Sequence, residues 1–327
     1  MCIGKKTAYI QIFEENRGAE FLPFHLYLPA GDRYYAQYRF VYVCNPIDPT
    51  LTFAIGPNNT ANSHLYRIHE VYMGTLEGET FTPAFRALQH GEIGLAFREE
   101  GAGDFAGGIH GDEVMDGVSL TVDGVSCSLN RPFFGSFETL SFQMDSCIFR
   151  CNTPQQKLVR HQQEYTVADG KLCLAQRIRW IGDALPLQAA FSPMLTAQRL
   201  DPAQPERILT DTVEFYAQPD GALLATVDTS ACGRVSKKPE ADRVYLHTPA
   251  AAVKVYGKTS GFAAEAGYRI LNDSIPPEQR QSHLWIRYGD SLDNKIYFNI
   301  GKNAAPKAGT VWESDIYYRM TYSPKPE

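Results

Sequence analysis

The strongest constraint on the fold is an alternation of apolar and polar residues that stops at Asp-Gly turns. Three segments share one design, in which an alternating run, a turn containing Asp-Gly and a second alternating run follow each other: residues 119–129, 161–182 and 211–228. Successive side chains of a strand point to opposite faces of a sheet, and Asp-Gly is the strongest local hairpin signal. The sequence therefore predicts a series of antiparallel hairpins.

Further strands are predicted for residues 33–44, 242–248, 251–259, 282–289, 294–301 and 314–323. Helical signals are few. Residues 58–78 have a helix-like spacing at Leu65, Ile68 and Tyr72 but also alternate, and residues 82–92 are long enough for one or two helical turns. The number and length of the strands predict an all-β protein, a large antiparallel β-sandwich with few short helices.

The domain organisation follows from length and from the uniform strand pattern. A chain of 327 residues suits one large β domain or two smaller ones. A polar segment at 236–243 is a candidate boundary. Because similar strand patterns continue on both sides of it, we expect a long loop there and a single domain over residues 1–327.

Charge and cysteine content limit the partners and the compartment. The net charge is −6 and no block of five or more like charges occurs, so the basic stripe that binds nucleic acid is missing. Seven cysteines without a CxxC pair indicate reduced thiols. No apolar run is long enough for a signal peptide or a membrane helix. We expect a cytoplasmic protein, secreted only if a leader was removed, with no nucleic-acid or membrane partner; a homo-oligomer is left open.

One glycine-rich segment concentrates titratable side chains at the start of a predicted strand. His110, Asp112 and Glu113 directly follow or flank the glycines of "GGIHGDE", residues 107–113. A histidine beside a carboxylate is suited to proton abstraction, because its pKa lies near neutrality and the carboxylate fixes its tautomer. If the segment is extended, His110 and Asp112 share one face and Glu113 lies on the other. The alternative is a turn-rich loop with solvated charges.

A second polar set lies on the predicted strands of residues 159–182. His161, Gln163 and Tyr165 share a face if the strand is extended, which fits a sugar-facing surface as well as an ordinary exposed face. On the next strand Arg177 lies opposite the apolar face, where it can bind a carboxylate. The candidate catalytic residues are His110, Asp112, Glu113, His161 and Tyr165. The candidate substrate-binding residues are His90, Arg98, Arg160, Gln163 and Arg177.

Motifs for metal, nucleotide or serine-nucleophile chemistry are missing. There is no HExxH, no EF-hand loop and no GxSxG, and the glycine-rich residues 101–108 lack the Walker lysine. We therefore expect no metal and no cofactor; the alternative is a metal ion held by His110 and Asp112 together with His90 or His161. Aromatic residues make up 12% of the chain, and aromatic rings serve both sheet packing and sugar stacking.

The C-terminal third resembles a known group of proteins. "AAVKVYGKTSGFAAEAGYRI" (251–270), "DNKIYFNIG" (293–301) and "AGTVWESDIYYRMTY" (308–322) are similar to the large super-sandwich proteins related to galactose mutarotase and to the β-sandwich domains of several polysaccharide lyases. The resemblance lies in the general pattern of the predicted strands over roughly residues 100–320, not in a shared motif. It implies long antiparallel strands, a sugar-holding sheet, and His or Tyr as acid and base, which draws attention to His110, His161 and Tyr165.

These observations favour a carbohydrate-active enzyme that moves a proton at a sugar ring. Lyase-type β-elimination on a uronate-containing saccharide and a mutarotase- or epimerase-type reaction both fit. In β-elimination His110 or His161 would be the base and Tyr165 the acid. One of three arginines would neutralise the uronate: Arg98, Arg160 or Arg177. A glycoside hydrolase using two carboxylates, a non-catalytic carbohydrate-binding protein and a purely structural sandwich are the alternatives.

Overall fold

The computed structural model describes residues 7–14, 20–45, 63–89, 93–204, 206–218, 220–230, 243–245, 250–272, 275–286 and 293–324. Strands form most of this part of the chain, and its only helices are two short 3-10 turns, Gly108–His110 and Pro277–Gln279. The predicted all-β class is confirmed. Nothing in these ranges forms a helix of the length and apolarity needed to cross a membrane.

The strands of the described ranges are 3 to 16 residues long and pair antiparallel, with one parallel exception. They are β1 (Ala8–Ile12), β2 (Phe24–Pro29), β3 (Tyr35–Asn45), β4 (Ser63–Glu77), β5 (Thr80–Leu88), β6 (Ala96–Glu99), β7 (Glu113–Val122), β8 (Val125–Cys127), β9 (Phe133–Phe137), β10 (Leu140–Arg150), β11 (Thr153–Ala168), β12 (Lys171–Trp180), β13 (Leu187–Gln198), β14 (Thr212–Ala217), β15 (Leu223–Asp228), β16 (Arg243–Tyr245), β17 (Ala250–Tyr256), β18 (Phe262–Ile270), β19 (Gln281–Ile286), β20 (Asp293–Asn299) and β21 (Val311–Tyr322).

Strand pairing arranges these elements in two layers. The first layer runs β9-β1-β2-β3-β4-β5-β13-β20-β19-β16, with β6 also paired to β13. The second runs β8-β7-β10-β11-β12-β21-β18-β17-β14-β15. A short parallel pairing of β4 with β7, at Ser63 and Glu113, joins the layers.

Aromatic contacts between unpaired strands show that the layers pack face to face. The rings of Phe24 in β2 and Phe142 in β10 are 5.0 Å apart, and those of Phe97 in β6 and Trp180 in β12 are 5.2 Å apart. All four side chains are fully buried. Burying each such ring stabilises the fold by about 1.5–3 kcal/mol. The interior between the layers is thus the hydrophobic core of a sandwich.

The three predicted hairpins are present. Asp123 and Gly124 turn β7 into β8, and Asp169 and Gly170 turn β11 into β12; all four residues have positive φ, as a two-residue type I′ turn requires. Gly221, also with positive φ, lies between β14 and β15, which pair as predicted.

The helical interpretation of residues 58–78 and 82–92 was wrong for the parts that the structure describes. Both form strands, β4 and β5. A bulge at His69 shifts the alternation of β4, so that Ile68 and Val71 both point into the core although they are three residues apart. The spacing of Leu65, Ile68 and Tyr72 does not come from the bulge, because Leu65 and Ile68 precede it in regular pairing with β3 and so lie on opposite faces of the strand.

The candidate boundary at 236–243 lies outside the described residues except for its last residue, and the single domain stays a prediction.

Candidate functional site

The structure places the described candidate residues, apart from Asp112, at three locations, of which the first is the interior of the sandwich. There His161 Nδ1 lies 3.0 Å from Oε1 of Glu113, and both side chains are 1% exposed. The same Oε1 accepts a hydrogen bond from Ser146 Oγ at 2.6 Å, and Oε2 accepts one from the backbone N–H of Gly108 at 2.7 Å. Glu113 is therefore a fully partnered carboxylate of the core.

The other two predicted residues of β11 extend this interior network. Tyr165 donates its hydroxyl proton to Oε1 of Gln163 at 2.9 Å, and the Gln163 amide nitrogen lies 3.3 Å from His161 Nδ1. Burial raises the pKa of Tyr165, and the nearby Glu113 carboxylate raises it further. The predicted shared face of His161, Gln163 and Tyr165 is confirmed, but it faces the core and all three are buried.

The pKa of Glu113 reflects opposing effects. Burial raises it, whereas the hydrogen bond and charge of His161, together with the bonds from Ser146 and Gly108, lower it by more. The net pKa is below the ordinary value of 4.5. Glu113 is thus a carboxylate at neutral pH.

The second place is the solvent face of the second layer, where Arg160 and Arg177 are exposed. Arg177 Nε lies 3.2 Å from Oε1 of Glu313, and Arg160 Nη2 lies 3.7 Å from Oδ2 of Asp116. A groove of about 320 Å³ opens beside Arg177. This face lies on the opposite side of the sheet from His161, so the structure does not bring these arginines to the predicted histidines. His90 lies outside the described residues.

Asp112 has a structural role in the loop before β7. Its Oδ2 accepts the backbone N–H of Asn152 at 2.9 Å, and its carbonyl accepts that of Phe149 at 2.7 Å. Residues 108–110 form a 3-10 turn, and Asp112 has φ 54°. The segment is not extended, so the expected shared face of His110 and Asp112 does not occur.

The third place is the outer face of the first layer, which holds His110 and Arg98. The His110 ring is 5.1 Å from the ring of Phe105, and its Nδ1 lies 3.7 Å from Oδ1 of Asp104. That Oδ1 also accepts the backbone N–H of Phe105 at 2.8 Å. Arg98 donates from Nε to the carbonyl of Ala102 at 3.1 Å, and its guanidinium lies 6.0 Å from the centre of the Phe105 ring.

A row of packed aromatic rings connects His110 with a second polar pair, Lys295 and Tyr297. Phe105 and Phe191 stack with ring centres 5.5 Å apart, and Phe191 and Tyr297 follow at 5.0 Å. At the far end Lys295 Nζ donates to the Tyr297 hydroxyl at 3.0 Å. We call this set the histidine–aromatic site; its members are Arg98, Asp104, Phe105, His110, Phe191, Lys295 and Tyr297.

Glycines make the turn that presents His110. Gly107 has φ 97°, and a Cβ added there would lie 2.7 Å from the carbonyl oxygen of Leu95. The turn closes through two backbone bonds, from Gly107 N–H to the Gly111 carbonyl at 2.8 Å and from His110 N–H to the Gly107 carbonyl at 3.2 Å. Only glycine fits this close approach.

On the outer face of the first layer, ion pairs and hydrogen bonds also connect side chains of β3, β4, β5 and β13. Glu70 accepts hydrogen bonds from Arg39 Nη1 at 3.1 Å, from Arg86 Nη1 at 3.0 Å and from the Tyr72 hydroxyl at 3.2 Å. Arg86 Nε in turn donates to Gln198 Oε1 at 3.3 Å. These side chains of β3, β4, β5 and β13 hold each other in fixed positions.

Sequence reasoning missed five residues of the histidine–aromatic site: Asp104, Phe105, Phe191, Lys295 and Tyr297. Asp104 and Phe105 lie in the glycine-rich residues 101–108, which were considered only as a phosphate loop. Because Asp104 and Phe105 lie next to the segment with His110, they could have been included as candidates from the sequence. Phe191, Lys295 and Tyr297 have the sequence pattern of ordinary strand residues. Among the described residues no group of three His, Cys, Asp or Glu side chains could hold a metal ion.

Comparisons with known proteins leave the family open. No family model and no curated protein matches the chain. A solved structure from Klebsiella pneumoniae, provisionally named an aldose 1-epimerase, is similar over 98% of this chain and 85% of its own, with 10% identity and a TM-score of 0.40. A GalM/aldose epimerase homologue from C. elegans covers 91% and 99%, with 10% identity and a TM-score of 0.36. A TPR-domain containing protein from Parabacteroides distasonis covers 94% and 48%, with 13% identity and a TM-score of 0.33.

Proposed function

We propose that the protein is a carbohydrate-active enzyme that moves protons at a sugar ring, in a reaction of the mutarotase or epimerase type, at the histidine–aromatic site. The observation that carries the proposal is the position of the partly exposed His110 beside Asp104 and the Phe105 ring, followed by the nearly buried rings of Phe191 and Tyr297, which are 6% and 9% exposed. A sugar ring has an apolar C–H face and polar edges, and this arrangement offers both kinds of contact.

In the proposed reaction the sugar packs its C–H face against Phe105. His110 removes the proton of the anomeric hydroxyl, and the electron pair of that O–H bond forms a C=O bond as the bond from the anomeric carbon to the ring oxygen breaks. The His110 imidazolium then donates that proton to the ring oxygen, which is bonded to the same carbon as the anomeric oxygen. Rotation about the adjacent C–C bond and the reverse steps give the other anomer, with protons and electrons in balance.

The neighbours of His110 and Tyr297 suit a role in this site. Asp104 Oδ1 lies 3.7 Å from Nδ1 of His110, which is too far for a hydrogen bond, but its negative charge stabilises the imidazolium that forms when the ring accepts a proton. Lys295 donates a hydrogen bond to the Tyr297 hydroxyl, which fixes the direction in which that hydroxyl donates its own proton to a substrate oxygen.

One observation favours a second candidate, β-elimination on a uronate. Arg98 lies at the His110 end of the site and Lys295 at the other, and either cation would neutralise the carboxylate that makes the adjacent carbon acidic. In that reaction the base removes the proton from carbon, a C=C bond forms, and the glycosidic oxygen leaves with a proton from the acid.

The test is a panel of reducing sugars and uronate oligosaccharides with the wild-type protein and His110→Gln. NMR exchange between anomeric protons measures mutarotation, and ultraviolet absorbance of the unsaturated product measures elimination. An enzyme-dependent anomer exchange that the substitution lowers by about 10²-fold or more supports the mutarotase proposal. A rise in absorbance without anomer exchange would replace it with the lyase. Equal signals with and without protein throughout would reject both reactions.

A further inference from the structure

Two neighbouring strands bring basic side chains together on the outer face of the first layer. Arg39 lies in β3, and Arg67 and Glu70 lie in β4. Arg39 is the cross-strand partner of Glu70, and Val41, two residues further along β3, is the partner of Arg67. Side chains two residues apart on a strand share a face, and so do cross-strand partners. Arg39 and Arg67 are therefore diagonal neighbours on one face.

The carboxylate on this face is already engaged by other groups. Oε2 of Glu70 accepts hydrogen bonds from Arg39 Nη1 at 3.1 Å and from the Tyr72 hydroxyl at 3.2 Å, and Oε1 accepts one from Arg86 Nη1 at 3.0 Å. Within the described ranges Glu70 forms ion pairs with Arg39 and Arg86 but none with Arg67. Three guanidinium groups thus surround one carboxylate, which leaves an excess of two positive charges.

Four buried nitrogen atoms of this face have no hydrogen-bond partner among the described residues. They are Nε and Nη1 of Arg67, Nε of Arg39 and Nδ1 of His69, the residue at the bulge of β4. Buried polar atoms are nearly always hydrogen-bonded, and a charge that is buried without a partner is costly. The bare nitrogen atoms of two arginines therefore indicate that the face binds an acceptor from outside the chain. We call Arg39, Arg67, His69, Glu70 and Arg86 the arginine cluster.

The electrostatics of the cluster are those of a positive site. Burial lowers the pKa of His69, Glu70 raises it, and three arginines, Arg67, Arg39 and Arg86, lower it further. All three guanidinium groups therefore act on the same imidazole ring. Burial also lowers the pKa of Arg67, but a guanidinium group stays protonated in proteins.

A small ligand can reach the cluster from solvent. The side chains of Arg39 and Arg86 are 32% and 23% exposed, and Arg67 and His69 are partly exposed. The bare nitrogen atoms lie at the inner ends of these side chains, below an accessible surface. This is the arrangement in which an anion replaces water at a guanidinium group and gains strong, charge-assisted hydrogen bonds.

We infer that the arginine cluster binds a phosphate group, with Arg67 as its main contact and Arg39 and His69 beside it. A phosphate group carries a charge of about −2 near neutral pH, which matches the two excess positive charges, and its three oxygens accept hydrogen bonds in different directions. The nitrogen atoms come from three side chains on two strands, so they suit a tetrahedral group better than a planar carboxylate. None of these residues belongs to the histidine–aromatic site, so phosphate binding is independent of the proposed function.

The test is calorimetric titration near neutral pH, at an ionic strength fixed with chloride, with three probes: inorganic phosphate, phenyl phosphate and acetate. The proteins are the wild type, Arg67→Gln, Arg67→Lys and Arg269→Gln. Arg269→Gln is the matched control, because it removes the same charge from an exposed pair with Asp315 on the second layer. Circular dichroism checks that each variant is folded.

The wild type is expected to bind one phosphate per molecule. Arg67→Gln should weaken this binding by about tenfold or more, because it removes charge-assisted hydrogen bonds. Arg67→Lys should weaken it less, since it keeps the charge, and Arg269→Gln should bind as the wild type does. If phenyl phosphate binds more tightly than phosphate, the ligand is a phosphate ester; if the two bind equally, it is free phosphate. Both results support the phosphate site.

Thermal unfolding gives a second readout that a purely structural arginine would not produce. Without phosphate, Arg67→Gln should melt at the same temperature as the wild type or at a higher one, because it removes an unpaired, partly buried charge. Added phosphate should raise the melting temperature of the wild type but not that of Arg67→Gln.

Four results would overturn the phosphate site. They are a folded wild type that binds neither phosphate nor phenyl phosphate, acetate binding as tight as phosphate binding, an equal loss of affinity in Arg269→Gln, and a clear fall in the melting temperature of Arg67→Gln without phosphate. Tight acetate binding would assign the cluster to a carboxylate instead. Turnover enters none of these measurements, so they succeed or fail separately from the proposed reaction.

Discussion

His161 Nδ1 lies 3.0 Å from Oε1 of Glu113 in the interior of the sandwich, where both side chains are 1% exposed. The pair is held by the layer-joining strand β7 and by β11, so it links two elements that are distant in sequence.

Replacing Glu113 by Gln removes the charge that His161 and Ser146 contact. Breaking a buried pair of this kind costs about 3–5 kcal/mol, and urea unfolding should show a loss of this size in the free energy of unfolding. The matched control is Asp315→Asn, which breaks an exposed pair with Arg269 and should cost less than about 1 kcal/mol. Equal losses in the two variants would contradict the role of burial.

The lowered pKa of Glu113 predicts an acid-sensitive stability. Because its pKa is lower in the folded state than its ordinary value of 4.5, the unfolded chain takes up the proton first as the pH falls. The stabilisation is complete above that ordinary value and is lost as the pH falls through the folded pKa. Urea midpoints measured from neutral pH downward should therefore fall more steeply below this value in the wild type than in Glu113→Gln. Parallel curves would show that Glu113 does not titrate in this window.

Gly107 is predicted to be essential for the turn that presents His110. Gly107→Ala places a Cβ 2.7 Å from the Leu95 carbonyl oxygen at a φ of 97°, which should cost about 1–3 kcal/mol and displace the turn. The substitution should lower both the melting temperature and turnover. Gly117→Ala is the control, since an added Cβ there meets no atom within 4 Å. If Gly117→Ala lowered the melting temperature as much as Gly107→Ala, the steric explanation would fail.

Lys295 is predicted to position the Tyr297 hydroxyl for substrate binding. Lys295→Met removes the hydrogen bond to that hydroxyl while retaining most of the buried aliphatic length. Loss of one hydrogen bond to the substrate should lower kcat/KM by about tenfold, mainly through a higher KM, and Tyr297→Phe should have a similar effect. Adding Lys295→Met to Tyr297→Phe should have little further effect, because both substitutions remove the same contact. Additive losses in the double-variant cycle would show that the two residues act independently.

The local parts of the fold could be predicted from sequence, since they depend on neighbouring residues. The turns at Asp123-Gly124 and Asp169-Gly170 require positive φ, which those residues adopt, and the alternation around them fixes the strands. The bulge at His69 could not be predicted in the same way. Its extra residue is set by pairing with β3, and it places Ile68 and Val71, which are three residues apart, on the same face.

The candidate site was only partly predictable, because its members come from distant segments. His110 was identified from its own segment, but its carboxylate neighbour is Asp104 rather than Asp112. Because the chain turns at Gly107, the His110 side chain does not lie where an extended segment would place it. Phe191 and Tyr297 join the site through the pairing of β13 with β20, and no local pattern carries that information.

The most direct test of the account compares His110→Gln with His161→Gln in one experiment that measures both anomer exchange and the free energy of unfolding. His110 is at the partly exposed histidine–aromatic site, whereas His161 is in the core. His110→Gln should lose turnover by about 10²-fold or more and keep its stability within about 1 kcal/mol. His161→Gln should lose about 3 kcal/mol or more and keep turnover per folded molecule. The reverse pattern, with turnover lost only in a stable His161→Gln, would contradict the account and place the chemistry in the interior.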